Sequence, residues 1–346
     1  MTKIDRSRGG SAARACAFAI TFAILPARAD PVADFYKDKT ITVVSAGEAG
    51  GAHGVYAQLI AAYMRKYIPG NPALNVQFMV GAGGNLSMNY LYNVAPKDGT
   101  YIGVPLQDLI FNARIGVAAV KYDPSKARYL GGADTTRTTV TVMKSSGIAT
   151  IEDAHRNEVV IGASGGSGQN YIVPIVLNAL LGTRFRVVAG YPGINVIHLA
   201  MDRGEVQGTA ASWAVVASTR KDWVDKKLIN NLVTIGMTRE PDLPDVPALA
   251  ELVSDPRDLA LVPLLAGSAA LGRAWVAFGD IPPDRLSVLR SAYASVMNDP
   301  AFRAEALQKG LPIDPVDWTR QQDLARTIQS TPDEAVARLK AIIGAS

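Results

Sequence analysis

Thr40-Ile41-Thr42-Val43-Val44 is followed at once by Gly47-Glu48-Ala49-Gly50-Gly51-Ala52-His53-Gly54. A short β-branched run reads as a buried strand, the glycines as a tight loop, and the apolar stretch over 54–67 as a helix. The same unit returns three times. Val76-Gln77-Phe78-Met79-Val80 enters Gly81-Ala82-Gly83-Gly84-Asn85, Val159-Val160-Ile161 enters Gly162-Ala163-Ser164-Gly165-Gly166-Ser167-Gly168, and Val187-Val188 enters Ala189-Gly190-Tyr191-Pro192-Gly193. Strands that alternate with helices predict an α/β chain with mostly parallel sheets covered on both faces.

Outward from these units, strands are expected near 40–45, 75–80 and 101–105, with helices over 54–67 and 85–93. Arg128 to Lys144 is continuous and β-branched, with no helix to interrupt it. It reads as an extended segment that leaves one sheet and enters a second. The second set places strands near 158–162, 185–189, 206–211 and 230–236, and helices near 168–181, 194–203 and 246–253. Arg273-Ala274-Trp275-Val276-Ala277-Phe278 is a further strand, and a helical tail follows over 283–297, 300–309 and 331–343. Such a tail is expected to return to the first domain. The division is then 30–135 plus 255–346 for one lobe and 136–254 for the other.

Residues 1–29 read as an export signal. Lys3, Arg6, Arg8 and Arg14 precede an apolar run from Ala15 to Leu25, too short to span a bilayer, and Ala27-Arg28-Ala29 fits a cleavage site. The 346-residue chain carries a formal charge of +4, but this segment holds five of the 35 Lys and Arg and one of the 31 Asp and Glu. Thirty of each sign remain beyond residue 29. No basic excess is left to suggest nucleic acid. The one cysteine, Cys16, lies inside the same segment, which leaves no thiolate for a disulfide or a metal.

Glycine loops that precede helices present free N–H groups and the positive end of a helix dipole, so several together predict an anion site, most simply for a carboxylate. The candidate residues in the first half are Gly50, Gly51, Ala52, His53, Gly83, Gly84, Asn85 and Gln107. In the second half they are Ser164, Ser167, Gly168, Gln169, Tyr191, Ser212 and Trp213. Catalytic readings are weaker. Gly162-Ala163-Ser164-Gly165-Gly166 fits the nucleophile elbow of a serine hydrolase, yet of His53, His155 and His198 only the last follows the serine. No loop spells a complete dinucleotide fingerprint, no lysine follows a glycine run, and no histidines share a helix face at metal spacing. No metal and no cofactor is expected.

The chain resembles the periplasmic solute receptors of tripartite tricarboxylate transporters. The resemblance rests on Tyr36-Lys37-Asp38-Lys39-Thr40-Ile41-Thr42, Tyr67-Ile68-Pro69-Gly70-Asn71-Pro72, Gly81-Ala82-Gly83-Gly84-Asn85, Ala95-Pro96-Lys97-Asp98-Gly99-Thr100, Gly190-Tyr191-Pro192-Gly193 and Arg273-Ala274-Trp275-Val276-Ala277, taken in this order. It implies a two-lobed venus-flytrap fold of the type II kind. It also implies a receptor that holds a small organic carboxylate between its lobes. The expectation is then an exported, periplasmic, monomeric protein that captures the carboxylate and delivers it to a membrane permease, or, as an alternative, a sensor receptor that presents it to a signalling partner. In that family Asp often stands where this chain has Gly54, Arg where it has Gln58, Pro where it has Val80, and an acidic residue or Asn where it has Gln207. Loss of Asp at position 54 is expected to disfavour an amino group on the ligand, provided that position faces the cleft.

Overall fold

The computed structural model describes residues 1–2, 30–135, 137–165 and 168–344. The expected export segment and Ser167 therefore lie outside the described residues. Among the described residues, ten strands form two five-stranded sheets: β1 (Thr40–Ser45), β2 (Ala73–Phe78), β3 (Tyr101–Val104), β4 (Ala127–Gly132), β5 (Thr138–Met143), β6 (Val159–Ala163), β7 (Phe185–Ala189), β8 (Gly208–Ser212), β9 (Ile229–Thr234) and β10 (Ala274–Phe278). The first sheet has the order β2-β1-β3-β10-β4 and the second β7-β6-β8-β5-β9.

The two sheets are built alike. β1 runs parallel to β2 and β3, while β10 runs antiparallel to both β3 and β4. β6 runs parallel to β7 and β8, while β5 runs antiparallel to both β8 and β9. Four strands of each sheet thus share one direction and the fifth opposes them. The expected extended segment over 128–144 is β4 and β5, which lie in different sheets, β4 ending at Gly132 and β5 beginning at Thr138.

Alternation along each strand sends neighbouring residues to opposite faces, and both faces are covered. Val43 joins a core with Tyr36, Ile60, Trp275 and Phe302 on one side of the first sheet. Val44 joins another, with Phe111, Tyr129, Val140, Ile161 and Leu177. That second core is continuous across both sheets. A third core, with Ile197, Met201, Val206 and Trp223, covers the remaining face of the second sheet.

In the tail, Pro283–Met297 and Trp318–Gln329 pack on β4, and Pro300–Gln308 packs on the helix Ala52–Met64. The last helix, Asp333–Ile343, instead packs on Gln169–Leu181, beside the second sheet. The helices Val262–Ala270 and Trp318–Gln329 were not read from the sequence. The second begins where the Asp317 carboxylate accepts the N–H groups of Thr319 and Arg320. Among the described residues, no helix is long and apolar enough to cross a membrane.

Candidate functional site

The loops that leave the parallel strands of both sheets meet at one cleft of about 440 Å³, a size suited to a small molecule. From the first sheet come Gly47, Glu48 and Gly51–His53 after β1 and Leu106–Asp108 after β3. From the second come Ser164 with Gly168–Asn170 after β6, Pro192–Ile194 after β7, and Ser212 at the end of β8. The two antiparallel strands contribute their opposite ends: Thr138 begins β5, and Arg273 immediately precedes β10.

The first turns of three helices, Ala52–Met64, Gln169–Leu181 and Ile194–Asp202, line this cleft, and a glycine caps each of them with no side-chain hydrogen bond. Their leading N–H groups are therefore left for solvent or a ligand. Arg273 supplies a positive charge, partly offset by the buried Asp134 carboxylate beside it. The arginine is 4% exposed, its Nε has no partner, and its guanidinium lies 5.5 Å from the centre of the Tyr56 ring. Burial and the charge of Arg273 hold His53 well below the ordinary imidazole range, so His53 is neutral, and its buried Nε2 is also unpartnered. Ser212 Oγ and Gln169 Oε1 complete a set of buried polar atoms without partners. Buried polar groups in folded proteins are nearly always satisfied, so a set of orphans around one cavity points to a ligand.

Asp108 and Gln169 join the two halves. Gln169 Nε2 donates to Asp108 Oδ1 at 3.2 Å. Burial pushes the Asp108 carboxyl up to about 6, opposed by the bond from Gln169. Glu48 is exposed at the rim.

Of the residues expected from the sequence, the structure brings together Gly51, Ala52, His53 and Gln107 with Ser164, Gly168, Gln169 and Ser212. Gly50 is exposed just outside this set. Gly83, Gly84 and Asn85 do not line the cleft. Gly84 and Asn85 border a small separate void with Tyr122 and Leu106, and Asn85 is spent on the fold: Nδ2 donates to Ala82 O at 2.7 Å and Oδ1 accepts from Tyr122 at 2.9 Å. Tyr191 packs at the edge of the third core, although Pro192 and Gly193 beside it reach the cleft. Trp213 is buried in the same core and faces an adjoining cavity, with its Nε1 unpartnered. The residues that sequence reasoning missed are Asp108, Thr138 and Arg273. A lone arginine at the mouth of the apolar run Ala274–Phe278 was the available signal.

The positions of departure also resolve. Gly54 is buried against the preceding loop, and a Cβ there would stand 2.0 Å from Glu48 O. Position 54 does not face the cleft, so its missing carboxylate does not bear on an amino group of the ligand. Gln58 ties the glycine loop instead, donating to Ala49 O at 2.9 Å and Gly54 O at 3.1 Å. Gln207 Oε1 accepts from Val160 N at 2.7 Å, a bond that serves β6.

Among the described residues, no histidine is bonded to Ser164. The helix after β6 begins at Gln169, and Ser164 Oγ bonds to Asn170 Oδ1 at 3.2 Å. His198 is buried against Trp223 with both ring nitrogens unpartnered. Among the described residues, no group of three or more His, Cys, Asp or Glu side chains is placed to hold a metal.

No family model matches the sequence, and no curated protein sequence matches it. Solved structures do match. A TctC solute-binding protein from Polaromonas is 17% identical, with a TM-score of 0.65 over 89% of this chain and 99% of that one. MatC from Rhodopseudomonas palustris, solved with bound malate, is 21% identical, with a TM-score of 0.62 over 88% and 99%. Another R. palustris protein, solved with adipate, is 17% identical, with a TM-score of 0.63 over 88% and 97%. At such identities the likeness establishes the fold, that of two-lobed periplasmic binding proteins.

Proposed function

We propose that this protein is an exported solute receptor of the tripartite tricarboxylate type. It captures a small organic carboxylate between its lobes and delivers it to a membrane permease, as a monomer and without catalysis, metal or cofactor. The observation that carries this reading is the convergence of Arg273 and three glycine-capped helix starts on one cleft. Both devices attract an anion, and burial strengthens them relative to water. Two of the structures that share the fold hold malate and adipate.

In this reading the lobes comprise 30–135 with 255–346, and 136–254. The helix Asp333–Ile343 of the first lobe's tail reaches across to the second. A carboxylate that touches Ala52 and Arg273 on one side and Gln169 and Ser212 on the other gains its full contact only when the lobes are together. Binding then shifts the population toward the closed form. The residues beyond position 29 act in the periplasm after the segment 1–29 is removed. Mass spectrometry of the molecule released from natively purified protein tests the reading. A small carboxylate is expected, and a released molecule with no acidic group would overturn it.

A further inference from the structure

Two of the three glycine-capped helix starts lie on the second-sheet side, but the side-chain charges and orphaned atoms around Gln169 and Asp108 there are not those of a subsite for a second carboxylate. The one cationic side chain among the described residues lining it is Arg273, whereas Asp108 and Glu48 both line it as acids. No cation contributes to the state of Asp108, which is governed by burial and by the bond from Gln169. That bond also fixes the Gln169 amide. Nε2 must face the carboxylate, since Asp108 accepts, so Oε1 is the atom left buried without a partner. A buried amide oxygen is satisfied only by a donor. A ligand carboxylate placed there would meet an acceptor and stand beside a like charge, which costs affinity.

We infer that the ligand is a monocarboxylate that carries a hydrogen-bond donor, either an ammonium or a hydroxyl group, with its carboxylate held by Arg273 and its donor by Gln169 and Asp108. This rests on the receptor reading above and narrows it to amphoteric or hydroxylated acids, excluding dicarboxylates as the preferred class. It also makes Asp108 the residue that sets specificity.

Titration calorimetry on the protein, freed of co-purified ligand by dialysis, tests this. For each of several chain lengths from roughly C3 to C8, sized to a small-molecule cleft, the ω-amino acid, the ω-hydroxy acid, the unsubstituted acid and the dicarboxylate are compared. The amino or the hydroxy acid is expected to bind at least about tenfold tighter than the dicarboxylate of equal length. Asp108→Asn, checked for folding by thermal unfolding, should collapse that ratio, and Gln169→Leu should do so independently. A large loss for the amino acid alone in Asp108→Asn identifies an ammonium group, and a similar loss for the hydroxy acid identifies a hydroxyl group. A dicarboxylate that binds tightest, with a ratio indifferent to both variants, overturns the inference and leaves the receptor reading standing. Absence of binding by every carboxylate overturns both.

Discussion

Gln169, the first residue of its helix and 6% exposed, donates through Nε2 to Oδ1 of Asp108 at 3.2 Å, so a side chain from beside the second sheet holds one from beside the first. In the receptor reading, a bond between the halves adds to the closed arrangement and is absent once they part. Gln169→Ala is expected to weaken ligand binding by the worth of one hydrogen bond, about 0.5–1.5 kcal/mol, or about two- to twelvefold in Kd. It should also enlarge the radius of gyration of the ligand-free protein in small-angle scattering. Identical affinity and an identical scattering curve would remove the bond from closure.

Asp108 gives the pH dependence a definite sign. Its folded pKa, about 6, lies above the ordinary carboxylate value of 3.8. The group therefore favours the folded state below the unfolded value, and that contribution is lost as pH rises from about 4 through about 6. Arg273, His53 and Glu48 line the same cleft, and His53, held low by burial, acts oppositely: its contribution is present above the ordinary imidazole pKa and is lost on acidification. Asp108→Asn should raise Tm at neutral pH, and the gain should vanish below about pH 4. A gain of equal size across that range would show that the carboxyl is not the cause.

Two neighbouring glycines should respond in opposite ways. A side chain at position 54 collides with the backbone of Glu48 and Ala49, whereas a Cβ at Gly50 meets nothing within 4 Å. Gly54→Asp should cost about 1–3 kcal/mol or more, as overpacking of a tight contact does. Gly50→Ala should unfold at the wild-type temperature. Equal thermal stability of the two variants would contradict the position of the loop.

Gly83 sits in the left-handed region at φ 63°. Gly83→Val is expected to lower stability by roughly 1–2 kcal/mol through backbone strain alone. Ligand affinity measured below the melting transition separates this cost from any contact with the ligand. Unchanged affinity beside a lowered Tm is the expected pattern, because Gly83 lies outside the cleft.

Arg273 should anchor the ligand with little sensitivity to salt, since screening is weak for a buried charge. Arg273→Gln should abolish most carboxylate binding, while wild-type Kd should change only slightly when ionic strength is raised severalfold. A steep salt dependence would mean that the exposed rim carries the attraction.

The sequence determined the local units. Strand–glycine–helix repeats placed β1, β2, β6, β7 and the helices after them within a few residues, because apolar period and glycine position are properties of adjacent residues. It also located the glycine loops at the ends of parallel strands, where α/β sheets bind ligands, and Gly51, Ala52, His53, Gly168 and Gln169 of those loops line the cleft. Not legible was which polar side chain spends its hydrogen bonds on the fold: Asn85 reads like a ligand contact until Ala82 and Tyr122 are seen to hold it.

Arg273 marks the limit most clearly. The sequence shows it at the entry to an apolar strand, and if every strand ran the same way that end would lie far from the cleft. Strand direction within a sheet is fixed by which neighbours a strand pairs with, and β10 returns after a crossing of both sheets to pair antiparallel with β3 and β4. Its beginning therefore lies where the parallel strands end. The same reversal brings Thr138 of β5 to the cleft from the other side. Local sequence chose the strands and loops, and long-range pairing decided which charge they enclose.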